Sequence, residues 1–283
     1  MIPTLGKPRL VELLTLTLLL FLGVPVASAL ELPDPDLLEN QNTPGRQSLT
    51  VVEPHEVAIE TTVAYAGLPM NGLLTYWFGD RWRDPDTEVV FLARDGYRSA
   101  IASERFSQHE ALLAFRRSDG SAFEVNNPRQ HQRQISLGPY YLVWNNRNDP
   151  VIRADGAYGW PYQVTRIELR NTREDKALLP PNPSPVIAGG FLEAKAYCLT
   201  CHHIRGQGGT KYPVDMVQAS CGWQDSDLKD WIDQPDRLRT GTSMPPLNPG
   251  LPAVRRAEVI DKIVAYMRAL REEYPGSCAG TSR

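Results

Sequence analysis

Cysteine is nearly absent from this chain. None occurs between Met1 and Tyr197, and the four present are Cys198, Cys201, Cys221 and Cys278. The long N-terminal part therefore offers no thiolate ligand for a metal. Histidine is scarce as well: His55, His109 and His131 are scattered in sequence, a pattern that fits exposed or structurally hydrogen-bonded imidazoles better than a metal site. Neither sign of charge dominates, since 30 Lys and Arg against 33 Asp and Glu leave a net charge of -3, which argues against a nucleic-acid partner. The one long apolar run, Leu13 to Val26, falls short of the roughly 20 residues that cross a bilayer. No internal repeat is evident. What the chain does have is 42% hydrophobic residues over 283 positions, enough for one large or two ordinary packed domains.

The segment 1–29 joins a basic start (Lys7, Arg9) to that apolar run and to the small-residue ending Ala27-Ser28-Ala29, the pattern of a cleavable export signal. Cleavage leaves no membrane span, and the expected address is the periplasm. Residues 30–46 are polar and rich in Pro and Asn, which predicts a flexible lead-in. Between 47 and 176 short runs rich in β-branched and aromatic residues predict strands: Val57-Ala58-Ile59, Glu88 to Leu92, Tyr140 to Trp144 and Tyr162 to Leu169. Ser107 with Glu110 resembles a capping box ahead of Ala111-Leu112-Leu113-Ala114-Phe115 and predicts a helix there. A Pro-rich linker is expected at 177–185. From 186 to 283 the pattern turns helical, with Ile187, Phe191, Ala194 and Cys198 on one face, a second helix at Ser226–Ile232, and a last one over Pro252–Tyr274. The expected fold class is α+β in two domains, a β-rich one followed by a small all-α one.

The stretch Cys198-Leu199-Thr200-Cys201-His202 carries the most chemistry. Two thiols two residues apart, with an imidazole next to the second, suit covalent attachment of one haem c through Cys198 and Cys201, His202 being an axial ligand of the iron. A zinc site would need a second ligand pair, and Cys221 and Cys278 stand apart. A thioredoxin-like dithiol would need a surrounding βαβ unit, which the pattern lacks. Met244, in the stiff loop Ser243-Met244-Pro245-Pro246, is the candidate for the opposite axial position, whereas Met216 and Met267 read as core and His203 as a surface residue. Cys221 and Cys278 form an even pair that an oxidising compartment would bridge, two unpaired buried thiols being the alternative.

These residues resemble class I cytochrome c domains over about 184–274: Gly190 ahead of the Cys-x-x-Cys-His motif, the Arg205-Gly206-Gln207-Gly208-Gly209 turn, Asp227-Leu228 through Trp231-Ile232 to Pro235, the Met244 loop, and Ile263 to Met267. The resemblance implies that Gly190 lets the last helix cross closely against Tyr266, and that the carbonyl of Pro213 accepts the other imidazole proton of His202. Ala194 departs from the pattern where many members have an aromatic residue, with Phe191 as its substitute.

Leu92 to Tyr97, Ala111 to Phe115 and Gly138 to Trp144 resemble the molybdopterin-binding domain of sulfite-oxidase-like enzymes over about 88–169. The molybdenum-ligating cysteine of those enzymes is missing, which implies that their catalysis is lost. Asp80, Asp84, Asp86 and Asp95, near Trp77, Trp82 and Tyr97, read as turn residues. The function expected from all of this is a periplasmic monohaem cytochrome that carries single electrons between redox protein partners, its first domain serving as a module that docks to a dehydrogenase or oxidase rather than as a catalyst. The alternatives are the haem domain of a small-molecule oxidoreductase and a haem-based sensor.

Overall fold

The computed structural model describes residues 29–41, 43–56 and 60–279. The export signal lies outside these residues except for Ala29, as does the strand expected at 57–59. The chain forms an α+β structure in two regions, a β-rich curled sheet followed by helices. No helix among the described residues is long and apolar enough to cross a membrane.

In chain order the first region contains β1 (Ala29–Glu31), α1 (Pro35–Glu39), β2 (Gln47–Val52), β3 (Thr62–Pro69), α2 (Met70–Phe78), β4 (Thr87–Ala93), β5 (Arg98–Ala102), α3 (Ser103–Gln108), β6 (Ala111–Arg117), β7 (Glu124–Asn127), β8 (Gln132–Ser136), β9 (Tyr140–Trp144), α4 (Pro150–Ala154) and β10 (Tyr162–Asn171). Its antiparallel sheet runs β2-β3-β6-β9-β10-β4-β5, with β1 added beside β10, while β7 and β8 pair separately. Strand β10 is long enough to serve two neighbours on one side, β9 through Tyr162 and Val164 and β1 through Arg166 to Glu168. Trp82, Trp144, Trp160, Tyr65, Tyr141 and Phe91 are fully buried and anchor the core. Where helices begin, prolines and short acceptors do the work: Asp149 Oδ1 accepts from the Val151 and Ile152 amides, and Pro150 occupies the first position, where no donor is needed.

Three expectations are corrected here. Ala111 to Phe115 is not a helix but the central strand β6, hydrogen-bonded to β3 and β9. Five consecutive buried residues suit a strand covered on both faces as well as a buried helix, and the neighbouring strands decide the outcome. Glu110 caps nothing, its carboxylate accepting instead from Asn145 Nδ2. The described residues of the lead-in expected at 30–46 are packed on the sheet region rather than free of it. Leu38 is fully buried, and Tyr140 donates its hydroxyl to the Pro33 carbonyl at 2.8 Å. The linker is shorter than 177–185, because Leu178 is buried in the second core and its carbonyl accepts the Tyr266 hydroxyl at 2.6 Å.

The second region contains α5 (Pro185–Tyr197), the two-residue strands β11 (His203–Ile204) and β12 (Gln207–Gly208), α6 (Met216–Ser220), α7 (Asp225–Asp233), α8 (Pro235–Leu238) and α9 (Ala253–Glu273). Ser184 Oγ accepts from the Ile187 amide and Pro185 follows it, which starts α5 where the prolines of the linker end. Helices α5 and α9 cross at Gly190. A Cβ there would lie 2.1 Å from the Lys262 carbonyl oxygen and 2.8 Å from Tyr266 Cβ. At Gly189 the nearest atom would be Lys262 Cδ at 3.7 Å. Gly190→Ala is therefore expected to destabilise the protein by about 2 kcal/mol through forced separation of the helices. Gly189→Ala is expected to stabilise it by up to about 1 kcal/mol through helix propensity. Equal unfolding midpoints for the two variants in a urea titration would refute this account of the crossing.

The two regions meet along the β4–β5 turn. Arg98 donates its amide to the Thr200 carbonyl at 2.8 Å, Thr210 donates to the Gly96 carbonyl at 2.9 Å, and Lys211 Nζ lies 2.9 Å from Asp95 Oδ2. Gly96 has φ +86°, and a Cβ would come within 2.5 Å of Thr210 Oγ1, so only glycine fits this docking point. Farther along, Lys195 of α5 reaches two carboxylates of the first region, Glu88 and Asp175, each at 2.5 Å.

Candidate functional site

A cavity of about 760 Å³ opens between the sheet and the helices. That is within the range typical of small-molecule sites. Cys198, Cys201, His202 and Met244 all line it. Cys198 ends α5, and the chain then turns tightly, the Cys201 and His202 amides both donating to the Cys198 carbonyl at 3.1 and 2.9 Å. That turn keeps both thiols, which are free, on the cavity side. Met244 arrives from the opposite end of the helical region, on a loop held by its own amide to Thr242 Oγ1 and by the Leu247 amide to the Ile232 carbonyl. Met216 and Met267, read from sequence as core, pack on the second core and also line the cavity.

The electrostatics of the wall favour neutral forms. Burial pushes the Cys198 thiol up to about 12 and raises that of Cys201 as well, Thr200 Oγ1 opposing the latter by donating to its sulfur. Burial also lowers the His202 imidazole below the usual histidine range, so it is neutral near pH 7. The backbone carbonyl acting on that ring is Tyr212's, one residue before Pro213, and Nδ1 makes no hydrogen bond of normal geometry. His203 lies off the cavity, its Nδ1 3.6 Å from Asp215 Oδ2.

A thiol with a pKa of about 12 is ionised in on the order of one molecule in ten thousand at pH 8, so this pair is poorly suited to dithiol–disulfide exchange. Ligand-free folded polypeptide is expected to react with iodoacetamide at Cys198 more than about a hundredfold more slowly than after unfolding. Similar rates before and after unfolding would show the thiol to be open and acidic. The sign for stability follows from the same shift. With the thiols free, stability is retained below the ordinary cysteine range near pH 8.5 and falls as pH rises toward about 12.

Cys221 and Cys278 are joined in a disulfide across 57 residues of sequence, linking the end of α6 to the turn after α9. No family model matches the chain, and no curated protein matches it either.

The electron-carrier expectation is corrected at this point. Among the described residues no group of three or more His, Cys, Asp or Glu side chains is arranged to hold a metal ion. Cys198, Cys201 and His202 line one cavity without forming such a group, and two of the four cysteines are taken by the distant disulfide. The haem c, iron, metal-binding and single-electron-transfer expectations have no protein-side cluster to rest on. With them go the docking-module, oxidoreductase and sensor alternatives and the redox-protein partners.

Sequence reading missed the other wall of the cavity. His55, Tyr97, Asn127, Arg129, Trp160 and Tyr162 come to it from the sheet region. His55, expected to be a scattered structural histidine, has Nε2 3.4 Å from the Trp160 carbonyl and lies edge-on to Tyr162. His109 pairs with Asp149 and His131 with Asp236, and neither pair is part of the cavity lining. No short motif marks these positions, because the sheet topology alone brings them together.

Proposed function

We propose that the protein is a binding protein that takes one small organic ligand, held without a covalent bond, in the cavity between its sheet and helical regions. The supporting observation is a cavity of about 760 Å³, a size typical of small-molecule sites, whose wall carries two free thiols kept neutral by burial. In this reading His202 and Met244, which line the same cavity, offer the ligand a neutral imidazole and a thioether.

Part of the same proposal is a class I cytochrome c-like fold for residues 184–274 and a sulfite-oxidase-like ancestry for the first region. The close crossing at Gly190 supports the former. The signal pattern of residues 1–29 supports export to the periplasm, where the Cys221–Cys278 bridge would persist. Native mass spectrometry of the protein purified from its exporting host is the test. The expected result is a mass above that of the polypeptide that is lost on denaturation, and the difference identifies the ligand. The bare-polypeptide mass under native conditions overturns the reading.

A further inference from the structure

The sheet-side wall of the cavity carries charge that the thiol side does not use. Of the acidic residues lining the cavity, Asp95 is paired with Lys211 at 2.9 Å and Asp155 with Arg105 at 2.7 Å. Arg129 and Arg239 also line it, and neither has a carboxylate within ion-pair distance among the described residues. The unmatched charge of the lining is thus positive. Arg239 is exposed to solvent, but Arg129 is half-buried, and burial alone pulls its guanidinium below the usual arginine range. A partly desolvated cation without a partner costs free energy that an anion would return.

A second, independent observation concerns Trp160. It is 1% exposed, lines the cavity, and its Nε1–H has no acceptor among the described residues. Buried indole N–H groups ordinarily find a partner. His55 connects the two. Its Nε2 lies beside the Trp160 carbonyl, and its imidazole feels the charges of both Arg129 and Lys211. Asn127, 6% exposed, also lines the cavity, its side chain engaged by Gln130 at 3.5 Å and by Tyr162. This wall therefore offers one unmatched buried donor, the Trp160 Nε1–H, and surplus positive charge.

The geometry points to an anion subsite on the sheet-side wall of the cavity, in which Arg129 and the Trp160 Nε1–H receive one negatively charged oxygen group of the carboxylate or sulfate class. The group is either a free small anion or a substituent of the ligand held at the thiol side. The subsite itself does not depend on what the thiol side holds.

Calorimetric titration of the full chain with sodium sulfate and with sodium acetate at pH 7 tests this, with Trp fluorescence as a second readout. The protein is used as purified and after removal of any bound small molecule by unfolding, dialysis and refolding, each form characterised by native mass spectrometry. Saturable binding to the purified protein, weakened about tenfold or more by Arg129→Gln and less by Trp160→Phe, establishes the site for a free anion. Binding seen only in the stripped form, and lost again with Arg129→Gln, establishes it for a group of the resident ligand. No saturable binding in either form, or equal binding with Gln at position 129, overturns the inference. Thermal unfolding of Arg129→Gln with an unchanged midpoint separates loss of the site from loss of the fold. Because native mass reports the bound ligand on its own, failure here is distinguishable from failure of the small-ligand reading.

Discussion

Lys195→Met is expected to destabilise the protein by about 3 kcal/mol, because it leaves two buried carboxylates with one cation between them. Lys195 Nζ lies 2.5 Å from both Glu88 Oε1 and Asp175 Oδ2, and Arg170 Nη1 completes the set at 3.2 and 2.6 Å. All four side chains are between 9 and 12% exposed, so water screens them little. Methionine keeps the volume and removes the charge, which isolates the electrostatic cost. Arg173→Met provides the contrast. Its pair with Asp86 is 73 and 43% exposed, and its loss is expected to cost about 0.5 kcal/mol or less. Urea titration of both variants decides the matter, and similar losses would mean that the cluster is no more than a surface network. Because Lys195 belongs to α5 and its partners to the sheet region, the same variant is expected to be cut faster by protease between 179 and 184.

Removing the Cys221–Cys278 bridge is expected to cost about 4 kcal/mol and lower the unfolding midpoint by about 10 °C. The bridge closes a loop spanning 57 residues of sequence that includes α7, α8, the Met244 loop and α9. The expense falls mainly on the unfolded chain, which regains the freedom the bridge denies it. Cys221→Ser/Cys278→Ser compared with wild type, with and without reductant, measures it. A fall under about 1 kcal/mol would show that α6 and the C-terminal turn stay together through packing alone. The Met244 loop lies inside the closed segment, so loosening it should also widen the cavity mouth, readable as faster alkylation of Cys198 in ligand-free protein.

Much of the strand framework was legible. Glu88 to Leu92, Tyr140 to Trp144 and Tyr162 to Leu169 are β-branched and aromatic runs between turn residues, and they fall within β4, β9 and β10. The helices around the Cys-x-x-Cys-His motif were legible from spacing, with α7 and α9 close to their expected bounds. The short helices α6 and α8 were not, since four or five residues carry too little period to register. Residues 30–46 looked polar enough to be mobile, yet Leu38 is fully buried in the core of the sheet region, which no local pattern announces.

The thiol side of the candidate site was visible as a motif, whereas its opposite wall was not. His55, Arg129 and Trp160 stand far apart in the chain and become neighbours only through strand order.

Sequence alone determined which segments are strand or helix wherever side-chain period and turn chemistry agree, and which thiols sit two residues apart. Those properties are written in consecutive residues. Tertiary structure decided that Ala111 to Phe115 is a strand, that Cys221 meets Cys278, that the thiols are held protonated, and that Arg129 has no carboxylate partner among the described residues. Each of these depends on what distant segments bring within a few ångströms: a hydrogen-bonding neighbour, a second sulfur, a desolvating wall or a missing carboxylate.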